Sequence, residues 1–275
     1  MSLKGTAKQT LAYLEAGGYD HPEGRRVEFA AELAASVAGT ELLTPEALAA
    51  LLEGPSRAES AVERTVEVTP ERTQSAAHRL VHEEGREDLV LLNFASAKNA
   101  GGGFINGAKA QEEDLARASG LYPSLRAAPG YYDANRASTV SMLYTDHMIW
   151  SPRVPFFRVR NRSLLDHAFL ASVITAPAPN AGHYLPRGGT RTELEACLRR
   201  RAGYVLALAE AKGQRNLLLG AWGCGVFRNE PRMVAEAFGH WLDHPRFAGS
   251  FAHVCFAILD KGGKTRAAFE IRFRS

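Results

Sequence analysis

Asp88-Leu-Val-Leu-Leu-Asn-Phe-Ala95 and, three residues later, Asn99-Ala-Gly-Gly-Gly-Phe-Ile-Asn-Gly-Ala-Lys-Ala-Gln-Glu-Glu113 form the stretch on which the fold turns. The first run is nearly all apolar, as expected of a strand buried on both faces of a sheet. The second places glycines just beyond it, where backbone takes positive φ and offers N–H groups to an anion with no side chain in the way. An amide and two carboxylates follow a seven-residue spacer. Strand, glycine loop and helix in that order indicate a layered α/β sheet. Ligands of such sheets bind in the loops beyond the carboxyl ends of the strands.

The pattern repeats outward. Residues 169–176, 216–222 and 251–259 read as further buried strands, with helical periodicity at 192–211 and 231–242. Upstream, Val62, Val66 and Val68 alternate with polar residues as in a half-buried strand. Thr69 and Pro70 then open a helix to about Glu84, which Gly85 ends. Residues 267–273 alternate again and read as a last strand. Residues 61–275 are therefore expected to form one α/β domain of three α/β/α layers, its mixed sheet mainly parallel at the centre with antiparallel edge strands. Residues 1–60 are more polar, with helical spacing at 6–16 and 26–38, and Thr44-Pro45 caps a third helix. They read as an N-terminal helical extension packed on the main body.

Composition narrows the function. The 275 residues are 45% hydrophobic and 23% charged, as in a soluble globular protein. A net charge of +3 is too small for a dedicated DNA binder and suits an anionic substrate. The three cysteines, Cys197, Cys224 and Cys255, are odd in number and widely spaced. That argues against a disulfide framework and a structural zinc site, and favours the cytoplasm. No segment reads as a secretory signal or a membrane span.

A second glycine loop, Gly220-Ala-Trp-Gly-Cys-Gly-Val-Phe-Arg-Asn229, also follows a buried run and precedes a helix. Two such loops at one sheet edge can surround a diphosphate with amides. Val226 and Phe227 either offer an apolar surface to a sugar or base or pack beneath the loop. Glu112 and Glu113 either stabilise the start of a helix or face the cleft as acid/base groups. In the cleft, burial and mutual repulsion would raise the pKa of one of them. Cys224 has no histidine near it in sequence, so a thiolate nucleophile is not expected. The pairs His78/His82 and His240/His244 lack the glutamate of HExxH and a third ligand, and read as helix-surface histidines.

These motifs together resemble the bacterial-type poly(ADP-ribose) glycohydrolases, which use a macrodomain fold. The likeness rests on the triplet Gly101, Gly102, Gly103 with Gln111-Glu112-Glu113, and on Asn93-Phe-Ala-Ser-Ala-Lys-Asn99. It extends to Ser119-Gly-Leu-Tyr-Pro-Ser-Leu125, Leu143-Tyr-Thr-Asp-His-Met-Ile-Trp-Ser-Pro152, Val173-Ile-Thr-Ala-Pro-Ala-Pro-Asn180 and the second glycine loop. Ala100 departs from the family, in which a proline is common before the triplet. The resemblance implies hydrolysis of the ribose–ribose O-glycosidic bond of poly(ADP-ribose), with release of ADP-ribose. Glu113 would protonate the leaving oxygen and then activate water, with an oxocarbenium-like ribosyl species between the two steps. Glu112 would hold ribose hydroxyls, Gln111 would position the segment and Asn99 would contact the terminal ribose. Gly223, Cys224, Gly225, Val226 and Phe227 would bind the diphosphate and its ribose. No metal or cofactor is implied; the partners would be poly(ADP-ribose), ADP-ribose and ADP-ribosylated proteins, with no direct DNA binding and no membrane. The alternatives are a non-catalytic ADP-ribose reader, which needs no acidic pair, and a mono-ADP-ribosyl hydrolase, which generally lacks the signature.

Overall fold

A computed structural model describes residues 2–57, 63–138, 142–159 and 163–274. The chain begins with α1 (Leu3–Ala16), the paired short strands β1 (Gly18–Asp20) and β2 (Arg26–Glu28), α2 (Ala30–Ala38), β3 (Glu41–Leu43) and α3 (Pro45–Glu53). The Thr44 hydroxyl accepts from the Ala47 amide at 3.3 Å and caps α3, as its sequence predicts. The helix expected over 26–38 is split. Residues 26–28 pair with β1, and Phe29, stacked on Phe157 at 4.9 Å, turns the chain into α2.

The remainder runs β4 (Thr65–Thr69), α4 (Thr73–His78), β5 (Leu89–Phe94), α5 (Gln111–Ala118), α6 (Leu121–Ala127), α7 (Pro129–Ala137), β6 (Met148–Val159) and β7 (Ser163–Ala176). It ends with α8 (Ala181–Tyr184), α9 (Arg191–Ala211), β8 (Asn216–Leu219), α10 (Pro231–Leu242), β9 (His253–Ala257) and α11 (Lys264–Arg272). Seven strands form one mixed sheet in the order β3-β6-β7-β5-β8-β9-β4. From β7 to β4 all neighbours are parallel, while β6 pairs antiparallel with both β7 and β3. The antiparallel pairings are thus confined to one edge rather than placed at both. β4 takes up Val66 and Val68; Val62 and the expected division between residues 60 and 61 lie outside the described residues.

The unbroken apolar runs reflect a sheet covered on both faces. Val90 and Leu92 of β5 face one core with α9 and α10, while Leu89 and Leu91 face a second core with α4, α5 and α6. Leu217 and Leu219 divide from Leu218 in the same way. The result is a three-layer α/β/α fold with a helical N-terminus, as expected.

Two local readings are corrected, and one strand was not foreseen. Thr69 remains in β4 opposite Ala257, so the helix expected from Thr69-Pro70 starts only at Thr73. Residues 267–273 lie in and just after helix α11 rather than in a strand. Seven residues are too few to separate the two periods, and the pair that decides is Phe269 and Phe273, four apart, both against Phe256. The long strand β6 is hidden in the sequence by Pro152 and Pro155, which break a strand pattern. The structure accommodates them with register shifts after Ser151 and Phe156 and a positive φ of 43° at Arg153. Among the described residues no helix is long and apolar enough to cross a membrane, and Cys197, Cys224 and Cys255 are all free.

Candidate active site

The loops after β5, β8 and β9 converge at the carboxyl ends of these parallel strands around a cavity of about 570 Å³. One wall carries Gln111, Glu112 and Glu113; the opposite wall carries Gly223 to Phe227. The two readings of the acidic pair prove compatible. Both residues lie in the first turn of α5, where its dipole favours negative charge, and both line the cavity.

Gln111 ties that helix to the sheet. Its side chain accepts from the Phe94 amide at 2.9 Å and donates to the Leu92 carbonyl at 2.8 Å, as a neighbouring strand's peptide would. Asp114 secures the next position through Arg72 at 3.0 Å and the fully buried Arg117 at 2.6 Å. Arg117 in turn donates to the Ala108 carbonyl at 2.8 Å, which fixes the end of the spacer. The sequence reading did not single out this clamp. It contains no spacing rule, only a third acid after Glu113.

Glu112 is buried, and both its oxygens are engaged: Ser96 N–H donates to Oε2 at 2.7 Å and Asn93 Nδ2 donates to Oε1 at 3.3 Å. Asn93, the one polar residue inside an apolar strand, also donates to Thr175 Oγ1 at 3.2 Å. That lone polar position was the signal for it. Burial raises the Glu112 pKa to about 8; repulsion from Glu113 adds to this, and the Ser96 and Asn93 bonds oppose it. The folded chain therefore retains a proton that the unfolded chain releases above the ordinary value of 4.5. The stability linked to it is complete below that value and lost as pH rises toward 8, a contribution on the order of a few kcal/mol. In Glu112→Gln, denaturant unfolding should lose this downward slope between pH 5 and 8 relative to wild type. His253, whose pKa burial lowers, acts in the same window with the opposite sign, so the difference between the two proteins is the quantity to read. Identical slopes would mean that Glu112 does not hold the proton.

Glu113 is arranged differently. Oε1 accepts from the Gly103 amide at 3.0 Å, while Oε2 has no partner among the described residues. Gly102, at φ +58°, lies so close that a Cβ there would be 2.3 Å from Glu113 Oε1. The triplet is thus moulded against the catalytic candidate as well as being a loop free of side chains. Asn99 does not line this cavity. It is exposed on the other side of the triplet, beside a second cavity.

In the second loop, the amides of Gly223, Gly225, Val226 and Phe227 find no partner among the described residues, whereas that of Cys224 donates to the Ala221 carbonyl at 3.1 Å. Four of the five expected amides are therefore available to an anion. Trp222 Nε1 anchors the base of the loop to the Ala176 carbonyl at 3.2 Å. The Phe227 carbonyl accepts from Gly182 at 2.9 Å, and its ring lies 5.9 Å from that of Tyr144. Val226 is 76% exposed, so the packing alternative for it fails. Burial pushes the Cys224 thiol up to about 12, which leaves no thiolate for catalysis at neutral pH. His78 and His82 pack their rings 4.5 Å apart against Phe169, away from the cavity.

The family model for the microbial-type PARG catalytic domain matches residues 7–159. No curated protein sequence matches the chain. Among solved structures, poly(ADP-ribose) glycohydrolase from Thermomonospora curvata bound to the inhibitor ADP-HPD is 47% identical with a TM-score of 0.90, covering 98% of this chain and 99% of that one. The Deinococcus radiodurans enzyme in complex with ADP-ribose is 48% identical with a TM-score of 0.81, covering 88% and 97%. With the acids and both glycine loops assembled on this sheet, the chain belongs to the microbial-type poly(ADP-ribose) glycohydrolase family.

Proposed function

We infer that this protein is a poly(ADP-ribose) glycohydrolase that releases ADP-ribose from the polymer. The observation that carries the reading is the disposition of Glu113. One of its oxygens is held by Gly103 and the other is unpartnered, across the cavity from four free amides. A diphosphate seated on those amides brings the terminal ribose toward Glu113. Protonated Glu113 gives its proton to the bridging oxygen as the bond to the anomeric carbon breaks, and the ribosyl group passes through an oxocarbenium-like species. The resulting carboxylate takes a proton from the attacking water, which restores the acid. One carboxyl thus serves both steps, unlike the paired carboxylates of most glycosidases. Glu112, fixed by Asn93 and Ser96, presents its remaining lone pairs to ribose hydroxyls. Phe227 packs on the ribose side of the diphosphate. Residues 1–60 serve as a brace for the catalytic body, supported by β3 pairing with β6. Three unpaired thiols fit a reducing, cytoplasmic setting.

The decisive assay measures ADP-ribose release from polymer of defined length, with a mono-ADP-ribosylated protein as the comparison substrate. Release from polymer is expected. Binding without release would identify a reader, and release from the comparison protein alone a mono-ADP-ribosyl hydrolase. The diphosphate loop has its own test. A Cβ on Gly225 meets nothing within 4 Å, so Gly225→Val should fold normally. Its side chain would project into the anion site and weaken ADP-ribose binding about tenfold or more by calorimetry. Unchanged affinity would mean that the phosphates lie elsewhere.

A further inference from the structure

Helix α1 packs on the segment that carries the acids and grips it along its length. The buried face of α1 includes the small residues Thr6, Ala7 and Thr10, so its backbone approaches closely. Ala7 is fully buried against Phe104 and Ala116. Phe104 follows the glycine triplet in a single helical turn, Phe104–Asn106, and a Cβ on Gly101 would meet its ring at 2.9 Å. Gly107 ends that turn at a φ of +85°, where a Cβ would stand 3.3 Å from the Lys4 amide nitrogen. Further along α1, the buried Thr10 donates from Oγ1 to the Arg117 carbonyl at 2.7 Å. That carbonyl lies in the last turn of α5, where carbonyls find no donor within their own helix. α1 supplies the missing donor.

These grips reach Glu113 through a short run of bonds. The Arg117 side chain donates to the Ala108 carbonyl at 2.8 Å and to Asp114 at 2.6 Å. The Ala108 amide donates to the Gly103 carbonyl at 3.2 Å, and the Gly103 amide donates to Glu113 Oε1 at 3.0 Å. Gly103 is therefore held through Ala108 on one side and Phe104 on the other, and α1 bears on both. We propose that α1 is a positioning element of the catalytic apparatus, in which Thr10 and Ala7 fix the Gly103 amide and so aim the unpartnered Oε2 of Glu113. The inference rests on the role of Glu113 given above. Alanine and threonine bury little apolar area, so these contacts add modestly to stability. Their effect falls on kcat, which responds steeply to a small misplacement of a reacting group.

The test measures kcat on polymer, calorimetric affinity for ADP-ribose and the melting temperature. Thr10→Val keeps the shape of the side chain and leaves the Arg117 carbonyl without its donor. It should lower kcat about tenfold. ADP-ribose affinity should not change, because the free amides lie on the opposite loop. Thr10→Ser keeps the hydroxyl and should recover most of the loss. Ala7→Val presses on Phe104 at the other grip, should also lower kcat, and carries the test if Thr10→Val does not fold. Leu14 lies on the same helix but packs in a separate cluster with Tyr19, Val27, Phe29 and Phe157. Leu14→Ala should therefore lower the melting temperature more than Thr10→Val does, with kcat unchanged. Combined with Glu113→Gln, Thr10→Val should cause no further loss in single-turnover assays, since the carboxyl that it aims is already gone. Unchanged kcat in both Thr10→Val and Ala7→Val, or an equal loss with and without Glu113→Gln, would overturn the positioning role. Full turnover in Glu113→Gln alone would instead refute the assignment of Glu113 on which it rests.

Discussion

Glu113→Gln should cut turnover of poly(ADP-ribose) by about a thousandfold, within the range that a general acid/base contributes. The fold has little reason to change. Gln has nearly the same volume, and its carbonyl oxygen can keep the 3.0 Å bond from the Gly103 amide. What disappears is the proton that the leaving oxygen requires, together with the base that activates water. ADP-ribose binding should survive, because the amides that hold a diphosphate belong to the opposite loop. The two readouts are release of ADP-ribose from polymer and calorimetric affinity for ADP-ribose. Turnover within tenfold of wild type would move the chemistry to another residue, and loss of both would point to misfolding, which a melting curve resolves.

Gly102→Ala should be nearly as damaging, though no reacting atom is removed. Its Cβ would stand 2.3 Å from Glu113 Oε1 and 3.2 Å from Glu112 Oε2, at a φ of +58°. The obstructed atoms are the ends of flexible side chains, so the chain can fold by pushing the acids aside. The positive φ costs about 1 kcal/mol of stability, which a domain of this size tolerates. A displacement of an ångström at a catalytic group, however, costs about a hundredfold in kcat. Gly24→Ala provides the control. It has a φ of +87° with nothing within 4 Å of the added carbon, so it carries the backbone penalty without the collision. Full activity in Gly24→Ala and about a hundredfold loss in Gly102→Ala is the expected pair. Equal activities would show that the acids do not need the space.

The parts of this site that are close in sequence were legible there, and the parts that depend on distant neighbours were not. Residues 88–113 announce a strand, a glycine loop and acids in the order in which the structure uses them. Helix α10 is bounded where Pro231 and the periodicity put it. The different surroundings of Glu112 and Glu113 depend on Ser96, Asn93 and Gly103, which reach the two acids only once the loop has folded back. No spacing rule contains that information. Val226 is a similar case. An apolar residue in a glycine loop fits either a core or a ligand surface, and only its exposure decides. The misreading at 267–273 has a different origin. Alternation was a real pattern, but contact with Phe256 made the four-residue spacing the one that mattered.

The prolines of β6 have one more consequence. A bare sheet edge is a template on which strands of other molecules add. β6 is twelve residues long and would be such an edge, were it not for three features. β3 occupies Met148 to Trp150, Ser119 bridges Phe156 with the Gly120 amide donating to the Pro155 carbonyl at 2.8 Å, and Pro152 and Pro155 carry no N–H to offer an incoming strand. The same residues that conceal this strand from pattern reading also conceal it from other chains, and so guard the sheet against growth into an aggregate.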